Sequence, residues 1–214
     1  MTTSPSCHSS SGPEDGRPRT KAWPVTLRRG ALTLRPMRYR DLPAWRSVRQ
    51  RNRDWLQPWE PAADANWNAR ASTMAFYRLR RDSRIAAREG RLMPFVVLHG
   101  AALVGQVNVG PIQWGPVRSA DVGYWIDRQR AGQGLTPIAV AMAIQHAFDS
   151  GLHRIHAAIA PENTASIRVV EKLGMRREGH YSRYLQIGTV WRDHIGFALT
   201  ADDDLTAMRD LLRD

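Results

Sequence analysis

A chain of 214 residues with 43% hydrophobic and 24% charged residues is long enough for one domain with a substantial core. No apolar run approaches the ~18 residues of a membrane span, the polar first twenty residues lack the apolar stretch of a secretion signal, and a single cysteine, Cys7, excludes an intrachain disulfide or a cysteine–metal cluster. A cytoplasmic protein without a metal is expected, and its net charge of +11, from 29 Arg and 2 Lys against 20 acidic residues, favours phosphates, acidic peptides or nucleic acid as partners.

Residues 1–22 are rich in Ser, Pro, Gly and Thr and read as a disordered tail before a domain over 23–204, with 205–214 a helical or frayed end. Gly30–Pro36 alternates as a first strand. Asp41-Leu42-Pro43 starts a helix carrying Trp45 and Val48. A second helix is expected from about Asn68 to Glu89, with Met74, Tyr77, Leu79 and Ile85 as its apolar face and Arg78, Arg80, Arg81, Arg84 and Arg88 as its basic one. Residues 28–91 hold 16 Arg against 6 acidic residues, a field open to nucleic acid and equally consistent with solvated helix faces. Pro94–His99 and Ala102–Gly110 form a hairpin about Gly100-Ala101, and a third strand follows over 121–127. After a helix from about Pro137 to Phe148 come a strand at His153–Ala160, a short helix at Thr164–Leu173 capped by Asn163, and two strands, Met175–Tyr184 and Trp191–Thr200, linked through Gln186-Ile187-Gly188. The order β-α-α-β-β-β-α-β-α-β-β describes a mixed sheet with helices on it, an α/β fold.

The stretch from Ala120 to Gly134 carries the chemistry. A strand with Val122, Tyr124 and Ile126 in alternation runs into Gln129-Arg-Ala-Gly132-Gln-Gly134, and a helix follows at once. Gly132 and Gly134 let main-chain N–H groups approach a ligand, and the positive end of the helix points back at the turn. That combination forms an anion site, and a pyrophosphate is the expected guest.

These residues resemble the GCN5-related N-acetyltransferases (GNAT). Gln129-x-x-Gly132-x-Gly134 is similar to that family's acetyl-CoA pyrophosphate loop. Asn163-Thr-Ala-Ser166 with Glu171-Lys172-Leu173-Gly174-Met175 is similar to its Asn-x-x-Ser…Glu-Lys-Leu-Gly-Phe segment. Asn52–Pro61, with Trp55, Pro58, Trp59 and Glu60, resembles the branch that acetylates the N-terminal alanine or serine of bacterial ribosomal proteins. The resemblance covers about residues 30–200. It implies a mostly antiparallel twisted sheet of about seven strands flanked by helices, acetyl-CoA as co-substrate, and transfer of acetyl to a primary amine.

Carried onto this sequence, it places the pyrophosphate on Arg130, Ala131, Gly132, Gln133, Gly134, Leu135 and Thr136, with Pro137 unable to donate an N–H. It lines the pantetheine arm with the main chain of Trp125 and Ile126 and with Asn163, and seeks an oxyanion donor at a bulge near Gly123 or Trp125. Relatives with a Tyr acid carry it where this chain has Val170, so Ser166 is the expected proton donor to the thiolate, set against a simple capping serine. Glu60 is the leading base or amine-binding group, set against an ion pair with a nearby arginine, with Asp121 and Asp193 as fallbacks. Trp55 and Trp59 are expected at the acceptor groove. With its one thiol in the tail, attack is expected to be direct, in a ternary complex. The acceptor is expected to be a protein N-terminus; a small-molecule amine such as an antibiotic or polyamine, and a non-catalytic CoA-, RNA- or ribosome-binding module, remain open, as does oligomeric state.

Overall fold

Fifteen regular elements follow one another in the computed structural model, which describes residues 23–61 and 66–213; the 1–22 tail and Cys7 lie outside them. They are β1 (Leu27–Arg29), β2 (Leu32–Arg35), α1 (Leu42–Arg51), α2 (Arg53–Leu56), α3 (Trp67–Arg70), α4 (Thr73–Arg88), β3 (Met93–His99), β4 (Ala102–Val109), β5 (Ser119–Ile126), α5 (Leu135–Asp149), β6 (Arg154–Ile159), α6 (Thr164–Lys172), β7 (Arg176–Ile187), β8 (Val190–Thr200) and α7 (Thr206–Asp210). The strands form one sheet in the order β1-β2-β3-β4-β5-β6-β8-β7. Every pairing is antiparallel except β5 with β6. The sheet thus has eight strands where the sequence suggests seven, because the chain folds back at Gly30-Ala31 and makes a hairpin of β1 and β2.

Two apolar layers cover the sheet. On one face α5 is packed almost throughout: Ala139, Val140, Ala141, Ala143, Ile144 and Ala147 are at most 1% exposed, against Phe95, Val107, Val122 and Ile155. On the other, Trp45 and Val48 of α1 meet Phe76 of α4 over Val96 and Leu103. Helix α4 is rotated from its expected orientation. Phe76 and Ala87 are buried and Leu79 packs beside them, whereas Met74, Tyr77 and Ile85 are 71%, 42% and 46% exposed. The helix also starts later than expected, because Ser72 accepts the N–H of Ala75 through its Oγ at 3.1 Å and so divides α3 from α4. Towards the end of the described residues, Leu205 and Met208 are buried, so α7 belongs to the core.

Candidate active site

The site arises where two strands part. The β5–β6 ladder has only three rungs, Ser119–Arg154, Ala120–Ile155 and Asp121–His156. Beyond the last rung β5 continues to Ile126, still paired with β4 but with no partner on its other edge. Main-chain groups alternate in direction along a strand. Ser119 and Asp121 bond away from β6, through Ser119 N–H to Gln113 O and Gly110 N–H to Asp121 O, and Asp127 N–H donates to Val104 O on the β4 side. The main chains of Val122, Tyr124 and Ile126 therefore face the cleft. This corrects one expectation: the amides of Gly123 and Trp125 point towards β4, and β5 pairs with β4 without a register shift. The nearby bulge falls in β4 instead, at Val104, where the β3 register steps from Gly105 to Leu103.

At the far end of the cleft the chain turns through Arg128–Arg130 and enters α5 at Gly134. Gly132 and Gly134 have φ of +78° and +76°, a region that strains any residue with a Cβ, and the space around both is open. Within the turn, Arg130 N–H donates to Asp127 O and Ala131 N–H to Arg128 O. These two amides of the expected cradle are thus already committed. Those of Gly132, Gln133, Gly134, Leu135 and Thr136 have no main-chain partner among the described residues, and they stand at the positive end of a fifteen-residue helix. Pro137 lies in the first helical turn, where the missing N–H costs nothing.

A network the sequence did not reveal holds this turn. Asp127, 2% exposed, receives the Arg51 guanidinium, the Asn52 amide at 2.8 Å and the Gln129 N–H at 3.3 Å. Asn52 Oδ1 in turn accepts the Arg128 N–H at 2.8 Å. Burial pushes the Asp127 carboxyl up, but these donors outweigh it and hold it below its ordinary value. Trp55 closes the same corner, donating its indole N–H to Ile126 O at 3.1 Å, with the Arg128 guanidinium 5.9 Å from its ring centre. Trp55 thus stands at the end of the cleft; Trp59 lies half-buried in the Gln57–Trp59 turn.

Helix α6 forms a third wall. Asn163 caps it, accepting the Ser166 N–H at 3.1 Å and leaving its own amide N–H groups to other partners. Tyr124 donates its phenol to Ser166 O at 3.0 Å, which ties the helix start to the cleft-facing stretch of β5. Burial raises the Tyr124 pKa, outweighing the Ser166 contact, so the phenol stays protonated and remains a donor. The Ser166 Oγ has no hydrogen-bond partner among the described residues.

Below the last rung lies a pocket of about 380 Å³, with Asp121, His156, Tyr181 and Tyr184 among its lining residues. Burial raises the Asp121 pKa against the opposing pull of His156. His156 accepts from Arg154 Nε at 2.8 Å through its Nε2. Its own pKa is lowered, by burial first and then by Arg154, so it is neutral at pH 7. Tyr181 lies directly over Gly196, where a Cβ would sit 2.3 Å from the phenol oxygen.

The remaining candidates sit elsewhere. Asp193 is outside the pocket, paired with His180 at 3.1 Å and accepting the Arg183 N–H at 2.8 Å. Glu60 is held by two guanidiniums: Arg49 reaches both of its oxygens, one at 2.9 Å, and Arg70 reaches Oε2. Arg49 also stacks 4.4 Å over Trp67 and packs against Trp125, whose indole donates to the buried Gln106 at 3.1 Å.

Comparison with known proteins agrees with this geometry. The acetyltransferase (GNAT) domain family matches residues 31–176. The chain is 30% identical over 190 residues to the [ribosomal protein uS5]-alanine N-acetyltransferase of Escherichia coli, covering 84% of this chain and 92% of that one. It is 37% identical over 103 residues to the "Probable N-acetyltransferase YjcK" of Bacillus subtilis, but that match spans only 57% of the Bacillus protein. Among solved structures, Mycobacterium smegmatis RimJ in complex with CoA-disulfide superposes with a TM-score of 0.85 at 37% identity, covering 89% of this chain and 95% of that one. The ribosomal-protein-S5-alanine acetyltransferase of Vibrio fischeri gives 0.76 at 28%, covering 84% and 98%. The chain belongs to the GNAT acetyltransferase family. More particularly, it is an acetyl-CoA-dependent N-acetyltransferase.

Proposed function

We propose that this enzyme acetylates the N-terminal α-amine of a protein, a ribosomal protein beginning with a small residue, by direct attack of the amine within a ternary complex in the cytoplasm. The observation that carries this reading is the position of the Asp121 pocket at the rung where β5 and β6 part, on the same strand whose far end leads to the Gly132–Thr136 amides. Five residues of β5 separate pocket and turn, about 17 Å of strand edge at ~3.3 Å per residue. A donor with its diphosphate on those amides and its arm extended along Tyr124 brings its thioester to the pocket. Sequence identity of 30% with the uS5-alanine enzyme, over 84% of this chain and 92% of that one, supports the choice of acceptor.

Coenzyme A supplies the acetyl group as a thioester; the residues of the chain bind, orient and move protons. The amides of residues 132–136, with Arg128 and Arg130 beside them, hold the diphosphate. The cleft-facing main chain of Tyr124 and the free amide of Asn163 hold the arm, a role that passes to Tyr124 from Trp125. Asp121, in a pocket that disfavours its charge, accepts a proton from the incoming ammonium. The nitrogen bonds to the acetyl carbon as the C–S bond breaks and sheds its second proton, which replaces the one that Ser166 passes to the departing sulfur. Overall, ammonium and thioester become amide, thiol and one released proton. Glu60 acts through its partners, fixing Arg49 and Arg70 against the tryptophan-lined wall.

The test is a thiol-release assay with acetyl-CoA against peptides beginning Ala, Ser, Thr and Met, alongside polyamines and aminoglycosides. Acetylation of the Ala and Ser peptides is expected. Unmodified peptides with turnover of a small amine would overturn the protein acceptor.

A further inference from the structure

The arginines of residues 28–91 do not all have the same surroundings. Arg35, Arg49, Arg51 and Arg70 are committed to Asp41, Glu60 and Asp127. By contrast Arg40, Arg78, Arg84 and Arg88 are exposed and have no carboxylate partner among the described residues. Arg78, Arg84 and Arg88 lie on the exposed side of α4, and the Tyr39–Asp41 turn that carries Arg40 sits beside that helix. Two tyrosines lie among them. Tyr39 is 62% exposed and 6.0 Å from Tyr77, and the Arg80 guanidinium sits 3.5 Å over the Tyr39 ring.

We propose that this Arg–Tyr face of α4 binds a single-stranded or looped segment of RNA. Arg84 and Arg88 stand about 6 Å apart along the helix axis and Arg78 lies about 9 Å before Arg84, so their charges can follow a phosphate backbone. Exposed tyrosines offer ring surface to unstacked bases, with arginine contributing both charge and a stacking plane. An anionic membrane fits less well. The exposed apolar residues Met74 and Ile85 stand about 16 Å apart along the helix axis, and Phe76 and Leu79 are already packed inside, so no continuous apolar strip is left to insert. An acidic protein would use the charges but leave the ring faces without a partner. The surface lies on α4, apart from the cleft and its pocket, and this inference does not rest on the proposed acceptor.

Fluorescence anisotropy with a labelled oligouridine across a salt series tests it. The unaltered protein is expected to bind with a steep salt dependence. The Arg78→Gln/Arg84→Gln/Arg88→Gln variant is expected to lose about two from the log–log slope, at ~0.7 per phosphate contact. Tyr39→Ala/Tyr77→Ala is expected to weaken binding about tenfold or more with the slope unchanged. Acetyl transfer to a free peptide should remain intact in both variants, so failure here and failure of the acceptor assignment are told apart. Absence of salt-sensitive binding, unchanged affinity in either variant, or equal binding to polyglutamate or to phosphatidylserine vesicles would overturn the proposal.

Discussion

Ser166 and Asp121 stand on opposite sides of the proposed reaction, and each has a distinguishable signature. Ser166 already gives its N–H to the cap, so replacing its hydroxyl leaves helix α6 intact. Ser166→Ala is expected to lower kcat about a hundredfold, the low end for a positioned proton donor, with KM for acetyl-CoA unchanged; steady-state kinetics checks both. Asp121 has a folded-state pKa raised above its unfolded one, so its contribution to stability is full below the unfolded value and is lost as pH rises through the folded value. At neutral pH its charge therefore opposes folding. Asp121→Asn is expected to cut kcat by about a hundredfold or more, to remove the acidic limb of the pH–rate profile, and not to lower the melting temperature. A variant equally inactive but less stable would make Asp121 structural. The local signals for Asn163 and Ser166 were legible in sequence because cap and helix are neighbours in the chain. Asp121 is only a fallback in the sequence, since the pocket that marks it out is shared with a strand 35 residues away, at the Asp121–His156 rung.

Elements explain why the rest of the site was hidden. The glycine turn was legible because its strand, turn and helix are consecutive, but its support comes from α1: Arg51 and Asn52 reach Asp127 across 76 and 75 residues. No pattern local to either segment reports that contact. Asn52→Ala removes one donor from a buried carboxylate and is expected to cost about 1–3 kcal/mol while raising KM for acetyl-CoA, readable by denaturant melts and kinetics. The Asp127 carboxyl is held below its ordinary value, so its stabilisation is present above about pH 4 and is lost as pH falls further. Asp127→Asn should show less loss of stability on acidification than the unaltered protein. Helix α4 shows the limit of periodicity in an arginine-rich segment. Met74, Tyr77, Leu79 and Ile85 make a good apolar stripe in the sequence, but of these only Leu79 packs inward, and Phe76, packed with Trp45 and Val96, takes the buried face with it. Strand phase likewise turns the main chain of Tyr124, and not that of Trp125, towards the cleft, which alternation of side chains alone does not reveal.

Across the whole molecule, charge and core answer separate questions. The family fold was legible from three ordered segments, whereas the cleft was not, because it exists only where a parallel ladder stops after Asp121–His156 inside an otherwise continuous sheet. The core extends to the end of the described chain: Met208 is 0% exposed and packs with the α5 layer. Met208→Ala is expected to cost about 2–5 kcal/mol, lowering the melting temperature by roughly 5–15 °C for a domain of this size, without changing the site. The central claim is that the amides of residues 132–136 hold the diphosphate of coenzyme A at the end of the β5 edge. Calorimetric titration of coenzyme A into the unaltered protein and into Gly134→Val tests it most directly. Stoichiometric heat in the first and its loss in a folded second is the predicted result; equal heats in both, or no heat with the unaltered protein, would contradict it.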